Sequence, residues 1–438
     1  MSILEQVQAR APVQGGGRHL GRAVITGIGI AAPTGLGQRA YWDATLRATN
    51  AIARLTRFDP AGYPAQLAAE LRLEQAPPLP SRLLPQTDRV TQASLFAADE
   101  ALSDAKVNPR ELPDFAAGVV TAASAGGFEF GQRELANLWS KGSEYVSAYQ
   151  SFAWFYPVNS GQVSIRHQLH GPGGAIVSEQ AGGLDALGMA RRQVRRDTAL
   201  MVAGAVDGSL CPWGWLCLLR SGRLSTRDDP RRAYQPFDTG ACGHVPGEGG
   251  ALLIVEDEAH ARQRGAGTGY GELAGYAATF DARDGYGTPA GLERAVELAL
   301  SDAGMRPGDV DVVFADAAGV PELDRAEAEM IATVFGARAV PVAAPKTMTG
   351  RLLGGGAALD VATALLAMRD SVIPPAINIP APAYGQLIDL VRDRPQPAAL
   401  TSALIVARGQ GGFNSALAVR RLPASTRNEE DTDAPTNH

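Results

Sequence analysis

The stretch AIVSEQAGGLDAL, residues 175–187, decides the fold of this chain. Its first residues are apolar and partly β-branched, which predicts the end of a buried strand, and residues 181–190 carry apolar side chains at helical spacing. Gly182 and Gly183 mark a sharp turn between the two. Such a turn exposes one side chain beside a helix N-terminus, where enzymes often place a nucleophile. That side chain is predicted to be Gln180, an amide, so the turn is compatible with a functional site or with an ordinary buried polar residue.

The composition excludes several functional classes. A chain of 438 residues can bury a large core, and its net charge of −6 argues against nucleic-acid binding through a basic surface. Cys211, Cys217 and Cys242 match neither a disulfide framework nor a metal-binding pattern, which favours a reducing, cytoplasmic compartment. No apolar run approaches the ~20 residues of a membrane span. The glycines within residues 23–30 do not match a dinucleotide-binding fingerprint. We expect no metal, no cofactor, no nucleic acid and no membrane contact.

The same α/β unit is predicted to occur twice. In the second half, a strand at residues 310–315 and a buried helix at residues 357–368, opened by Gly354, Gly355 and Gly356, repeat the strand–turn–helix pattern of the first half. We place the N-terminal half at residues 21–264 and the C-terminal half at residues 265–422. Residues 1–20 and 423–438 are polar and are predicted to be a disordered leader and tail.

A helix is predicted from residue 128 to residue 140. Phe128, Gly131 and Leu135 fall at positions i, i+3 and i+7, which place them on one helix face. The face could be an ordinary core or interface stripe. The following residues 152–156 include four aromatic side chains, and this density is typical of an interface or of a core.

The distribution of histidines is unfavourable for catalysis. The six histidines are His19, His167, His170, His244, His260 and His438. Apart from the last residue, the second half contains none, so an enzyme that draws its acid–base histidines from that half could not function with this sequence. A G-x-S-x-G turn, an H-E-x-x-H helix and a P-loop are also absent from the sequence. The residues alone describe a large α/β protein with an enzyme-like turn that lacks its catalysts.

Several long motifs in the same order resemble one family, the chain length factor or ketosynthase β subunit of bacterial type II aromatic polyketide synthases, within the β-ketoacyl synthase and thiolase superfamily. The resemblance covers about residues 22–420. Its motifs are VSEQAGGLDAL at 177–187, SFAWFY at 151–156, CPWGW at 211–215, GHVPGEGG at 243–250, PKTMTGR at 345–351 and RGQGGFNS at 408–415.

The resemblance implies a duplicated, thiolase-like α/β fold with five layers, αβαβα. Catalytically active relatives use a cysteine at the turn and two histidines from the second half. In this chain Gln180, Asp316 and Arg351 occupy those positions, and Lys346 is retained. Without a thiolate and imidazoles, Claisen condensation cannot proceed. The resemblance therefore implies a catalytically degenerate subunit of an acyltransferase complex.

The resemblance also implies a role in antibiotic biosynthesis. Members of the family pair as heterodimers with a catalytic ketosynthase α subunit, and a polyketide chain tethered to an acyl carrier protein grows into a tunnel at the interface. The tunnel positions that determine chain length correspond to Phe128, Phe130, Gly131, Leu135 and Trp213. Gly131 and Leu135 are smaller than a Thr/Phe pair, which predicts a long product, a decaketide or beyond.

Two other functions stay open. In related loading domains a glutamine at the position of Gln180 accompanies decarboxylation of malonyl-carrier protein, and an amide can stabilise a thioester oxygen without being acylated. An unrelated ligand-binding α/β protein is the third possibility. Whether carrier-protein docking uses the basic residues between Arg191 and Arg196 also stays open.

Overall fold

The computed structural model of the chain describes residues 21–267, 269–282 and 287–422. The predicted leader (1–20) and tail (423–438) lie outside these residues. Within the described ranges, no helix has the length and apolar character needed to cross a membrane.

The strands follow the apolar runs of the sequence, and most strands of the main sheet are buried, as expected where helices cover both faces. In chain order they are β1 (Ala23–Ala32), β2 (Gly35–Leu36), β3 (Ala53–Arg54), β4 (Leu67–Ala68), β5 (Ala117–Ala122), β6 (Gly173–Ile176), β7 (Leu200–Asp207), β8 (Gly249–Asp257), β9 (Gly271–Phe280), β10 (Val313–Phe314), β11 (Pro341–Ala343), β12 (Val372–Ile373), β13 (Asp389–Leu390), β14 (Gln396–Pro397), β15 (Ser402–Gly409) and β16 (Phe413–Arg420).

The main sheet uses the same strand order twice. Its order is β6-β5-β7-β8-β1 in the first half and β11-β10-β15-β16-β9 in the second, with β13 beyond β11. In each half the three strands at the outer edge are parallel, and the next two pairings are antiparallel. The two half-sheets join where β1 pairs with β9 at Val24–Glu272 and Ile25–Gly271. The predicted repetition is therefore present in the strand topology.

The helices complete five layers. They are α1 (Gln38–Leu46), α2 (Arg89–Asp104), α3 (Phe128–Lys141), α4 (Gln150–Ala153), α5 (Val158–His167), α6 (Gly182–Val194), α7 (Pro212–Arg220), α8 (Glu258–Gln263), α9 (Pro289–Ala303), α10 (Pro321–Phe335) and α11 (Gly354–Asp370). Helices α6 and α11 pack between the half-sheets. Helices α2 and α5 cover the outer face of the first half-sheet, and α9 and α10 cover that of the second. The layer order is the predicted αβαβα.

Glycines allow the two inner helices to approach each other and the sheet. A Cβ added at Gly183 would collide with the carbonyl oxygen of Gly354, and one added at Gly355 would collide with that of Gly249. All residues of α11 from Gly354 to Met368 are buried, which explains why this helix is apolar on every side. The predicted second inner helix is confirmed, and it begins at the glycines themselves.

The expectation of a buried strand before the turn was wrong. β6 is the edge strand of the first half-sheet, and its residues are exposed or half-buried. The next residue, Val177, is 48% exposed. An apolar run identifies a strand but not its place in the sheet order, and an edge strand keeps unpaired backbone groups. This edge is therefore free for contact with another chain.

Candidate functional site

The turn between β6 and α6 orients two neighbouring side chains differently. It is a single 3₁₀ turn, Glu179–Ala181, and Glu179 adopts φ +52°, a left-handed conformation that is uncommon for a residue with a side chain. Gln180 is 6% exposed, and a Cβ added at Gly356 in the first turn of α11 would lie 3.4 Å from its Oε1 atom. The prediction that the turn exposes Gln180 was therefore wrong. The left-handed residue before it turns Gln180 towards α11.

Glu179, and not Gln180, lines a cavity beside this turn. Its Oε2 atom accepts a hydrogen bond of 2.8 Å from the backbone N–H of Gln410. Burial raises the pKa of the Glu179 carboxyl, although the Arg351 guanidinium acts in the opposite direction. Sequence comparison with active enzymes did not identify this residue, because the predicted active-site position is its neighbour, Gln180.

Asp316 and Arg351, the two residues at the predicted histidine positions, form a buried ion pair. Their side chains are 3% and 5% exposed, and Arg351 Nη2 lies 2.9 Å from Asp316 Oδ1. Arg351 Nη1 also donates to the Asp316 carbonyl oxygen at 2.6 Å, and the Arg408 backbone N–H donates to Asp316 Oδ1 at 3.0 Å. Burial would raise the pKa of Asp316, but Arg351 and Arg408 outweigh it and lower the pKa to about 2. Asp316 is therefore ionised at neutral pH.

Lys346 extends this ion pair towards the inner helix α11. Its Nζ atom lies 2.7 Å from Asp360 Oδ2, and both side chains are less than a tenth exposed. Lys346 Nζ also donates to the carbonyl oxygens of Ala315 and Asp316. On the opposite side, Glu327 accepts the backbone N–H groups of Asp316 at 2.6 Å and Ala317 at 2.9 Å. Asp316 and Arg351, at the predicted histidine positions, thus lie in a hydrogen-bonded network of charges.

His244 is a site residue that the histidine distribution did not reveal. It comes from the loop before β8 and lines the same cavity as Asp316 and Arg351. Burial, assisted by the Arg351 charge, lowers its pKa to about 3, so the imidazole is neutral at pH 7. Its Nδ1 atom has no hydrogen-bond partner among the described residues. His244 lies in the motif GHVPGEGG, but its proximity to Asp316 and Arg351 of the second half depends on the tertiary fold.

A cavity of about 260 Å³ lies above the ion-pair network. Its floor is formed by Asp316, Arg351, Arg408 and His244, whereas Cys217 and Gln410 are exposed residues of its lining. Cys217 is a thiol, but it lies on α7 and not at the turn. Of the predicted catalytic positions, Asp316 and Arg351 line the cavity directly. Gln180 and Lys346 are buried outside its lining.

Four of the five predicted chain-length residues lie on α3, and Trp213 lies on α7. The rings of Phe128 and Trp213 are stacked, with centroids 4.5 Å apart and planes at 15°. A Cβ added at Gly131 would lie 3.3 Å from Trp154 Cβ and 3.7 Å from Trp213 Cζ3. Gly131 therefore lies between two indoles, where little room remains.

The remaining two predicted chain-length positions differ in burial. Leu135 is half-buried. Phe130 is 1% exposed, and the Arg133 guanidinium lies 4.7 Å from the centre of its ring. Phe130 does not line the cavity that Phe128 lines.

The basic end of α6 is only partly free for a partner. Arg191 is buried, forms an ion pair of 2.6 Å with Asp302, and donates to the carbonyl oxygens of Leu273 and Ala274. The Arg192 guanidinium lies 5.7 Å from the ring centre of Tyr276. Arg191 thus holds the two halves together and is not available for docking.

Family models match both halves of the chain. The model described as the N-terminal domain of β-ketoacyl synthase matches residues 21–261, and the model of its C-terminal domain matches residues 270–380. The chain is 58% identical over 400 residues to the tetracenomycin polyketide synthase ketoacyl synthase β subunit of Streptomyces glaucescens, covering 91% of this chain and 98% of that protein. It is 56% identical, with the same coverage, to the actinorhodin polyketide putative β-ketoacyl synthase 2 of Streptomyces coelicolor.

Solved structures agree with the layer order. The ishigamide ketosynthase/chain length factor gives a TM-score of 0.82 at 25% identity, covering 92% of this chain and 100% of that chain. A type II polyketide synthase acyl-carrier protein in complex with its hexaketide-bound ketosynthase gives a TM-score of 0.83, also at 25% identity and with the same coverage. These likenesses confirm the predicted thiolase-like fold.

Proposed function

This chain belongs to the β-ketoacyl synthase family, and we propose that it is the non-condensing subunit of a minimal type II polyketide synthase. In this role it pairs with a catalytic ketosynthase α subunit and sets the length of the poly-β-keto chain in an interface tunnel. The observation that carries the proposal is the buried Asp316–Arg351 ion pair at the positions of the catalytic histidines.

The chemistry of the network supports a subunit that does not condense. Condensation needs a thiolate to hold the acyl chain and donors that can stabilise an enolate. Here the turn offers an amide and a carboxyl, and Arg351 is already engaged by Asp316. Removing one partner of such a buried pair strongly lowers the stability of the folded protein. The network therefore favours a site in which Asp316 and Arg351 stay paired and do not react with a substrate.

The surface supports a protein partner. Large aromatic side chains are exposed near the edge strand β6 and the tunnel helix α3; they include Tyr149, Phe152, Trp154, Phe155, Tyr156 and Trp213. Aromatic residues are enriched in the centres of protein interfaces. The tetracenomycin relative is named a ketoacyl synthase β subunit, and the ishigamide structure pairs a ketosynthase with a chain length factor. A heterodimer would cover this aromatic surface.

The compartment proposed for this complex is the cytoplasm. All three cysteines are free, which suits a reducing environment. The carrier protein would deliver the chain to the partner's active site.

The geometry of the turn does not support the malonyl-decarboxylase alternative, which depends on Gln180. Gln180 is buried against α11, away from the cavity lining, where a thioester could not reach its amide. The curated relatives are named as ketosynthase subunits, so the alternative is not favoured.

Co-expression with a ketosynthase α subunit and an acyl carrier protein tests the proposal. Gly131→Thr combined with Leu135→Phe should shorten the main product by at least one ketide unit, because a β-branched side chain at residue 131 must displace one of the flanking indoles. Product masses give the chain length, and copurification reports the complex. Glu129→Gln, on the same helix, is the control and should leave the product unchanged. Unaltered products from an intact complex of the double variant would overturn the proposed function.

A further inference from the structure

One aromatic ring separates the cavity from the exposed aromatic surface. Phe128 lines the cavity and stacks on Trp213, which is 36% exposed. The side chains beside Phe128 in the lining include Ala125 and Leu218, so this wall is largely apolar. The cavity therefore begins directly behind the helix face that is proposed to determine chain length.

The floor of the cavity has hydrogen-bond donors without acceptors. The Arg408 side chain is 6% exposed; its Nη2 atom donates to the Leu323 carbonyl oxygen, but its Nε and Nη1 atoms have no hydrogen-bond partner among the described residues. Asp316 Oδ2 lies 3.9 Å from Arg408 Nε, which is an electrostatic contact and too long for a hydrogen bond. Buried N–H groups without acceptors are costly, so a carbonyl oxygen at this position would be favoured.

His244 contributes a different kind of group to the same floor. It hydrogen-bonds the Ala318 backbone, its pKa is lowered by burial, and its Nδ1 atom has no partner among the described residues. A neutral imidazole that donates through one nitrogen accepts through the other. The floor therefore combines an unused donor on Arg408 with an unused acceptor on His244.

The charges of the floor are already matched. Arg351 and Arg408 both face the ionised Asp316, and Glu327 lies 3.7 Å from Arg408 Nη2. An added carboxylate would have to compete with Asp316 for the same guanidinium groups. A neutral ligand with both a hydrogen-bond acceptor and a donor fits this floor better than an anion.

We infer that this cavity is a binding subsite for the far end of a neutral 1,3-dicarbonyl chain. Its carbonyl oxygens accept hydrogen bonds from Arg408, and the hydroxyl of its enol form donates to His244 Nδ1. The inference rests on the proposed function, since a poly-β-keto chain supplies this chemistry. It adds that the β subunit receives the chain end behind Phe128, in its own former active-site pocket.

Binding to the copurified heterodimer tests the subsite directly. Pentane-2,4-dione is the probe, titrated by calorimetry, with pentan-2-one and malonate as comparison ligands. Ser221→Phe fills the cavity from the end of α7 and should weaken diketone binding by about tenfold or more. Ser301→Phe, the same change at an exposed position on α9, should have no effect. Equal binding of the monoketone, preferential binding of malonate, or no binding of the diketone would each overturn the inference.

Product analysis distinguishes the two proposals. Ser221→Phe should also shorten the polyketide, whereas Ser301→Phe should not. If Gly131→Thr/Leu135→Phe shortens the product and Ser221→Phe does not, the subsite is absent and the proposed function stands. If neither variant changes the product, the proposed function itself fails. Leu218→Phe, a second cavity-filling change, replaces Ser221→Phe if that variant does not copurify with its partner.

Discussion

The two inner helices each carry an aspartate, but different kinds of group bind the two carboxyls. On α6, Asp185 is half-buried and accepts hydrogen bonds from three hydroxyl groups, those of Ser178, Tyr276 and Ser415. On α11, Asp360 is 3% exposed and faces the Lys346 ammonium group. The helices thus occupy equivalent places in a duplicated fold, yet only on the second does this aspartate form a buried ion pair with a cation.

This difference shows where the charge of the site originates. Asp316, Lys346, Arg351 and Arg408 all belong to the second half. Asp316, Arg351 and Arg408 line the cavity floor, and Lys346 is buried outside the lining. The first half contributes the turn and Asp185, whose three hydroxyl donors come from both halves. On the proposed function, two of the three replaced catalytic positions, Asp316 and Arg351, lie in the second half, and Gln180 lies in the first.

The largest expected effect comes from breaking the ion pair of α11. Lys346→Met leaves Asp360 buried without its cation and should lower the free energy of unfolding by about 3–5 kcal/mol. Denaturant unfolding of the purified chain measures the loss. The double variant Lys346→Met/Asp360→Leu should recover most of it, because an apolar pair replaces the ionic one.

A surface ion pair is the control for this measurement. Arg338 and Asp389 form a pair whose side chains are 53% and 39% exposed, so Arg338→Met should cost at most about 1 kcal/mol. If Lys346→Met costs no more than Arg338→Met, the contrast between the two inner helices has no energetic basis.

Removing the charge from α6 should have a smaller effect. Asp185→Asn keeps one acceptor oxygen for the three hydroxyl groups and should cost about 1–3 kcal/mol, measured by the same denaturant unfolding. Asp43→Asn on α1, where the carboxyl is 51% exposed, is the matched control and should change stability by less than about 0.5 kcal/mol. A cost for Asp185→Asn equal to that of Lys346→Met would mean that charge, and not hydrogen bonding, stabilises both helices.

A buried carboxyl that forms no ion pair within the described part of the chain extends the comparison through its pH dependence. Asp324 accepts the backbone N–H groups of Phe237 and Gly319, and burial raises its pKa to about 7 from the ordinary 3.8. Because the folded state holds this proton more tightly, the contribution of Asp324 is most favourable below about pH 4 and is lost as the pH rises to about 7. The stability of Asp324→Asn relative to the parent should therefore rise over this range, by at most about 1.4 kcal/mol per pH unit. Thermal unfolding at pH 4.5 and pH 7.5 measures it, and a difference independent of pH would contradict the raised pKa.

Much of the fold could be predicted because its signals are local. The apolar residues of α11 and the glycines before it identify a helix buried on every side, and the strand runs repeat in the same order. The edge position of β6 could not be predicted, because it depends on which strands lie beside it. The same apolar residues are compatible with a central strand and with an edge strand that pairs on one side only.

The sequence indicates candidate residues of the site but not the orientation of their side chains. Gln180, Asp316 and Arg351 follow from comparison with active enzymes. The left-handed conformation of Glu179 does not, and it decides which of two adjacent side chains reaches the cavity. Arg408 and His244 lie within motifs of the sequence. Both are close to Asp316 in the fold, although the three residues are far apart in sequence.

The strand β1 has a consequence for synthesis on the ribosome. All ten of its residues are buried, and its partners β8 and β9 follow more than 200 residues later, with Ile25 paired to Val255 and Gly271. At a translation rate of about 5–20 residues per second, roughly 10–45 s pass between the synthesis of β1 and the synthesis of β8 and β9. During that interval it is an unpaired, aggregation-prone strand in a nascent chain. Expression of this subunit should therefore depend strongly on chaperones that shield its N-terminal segment.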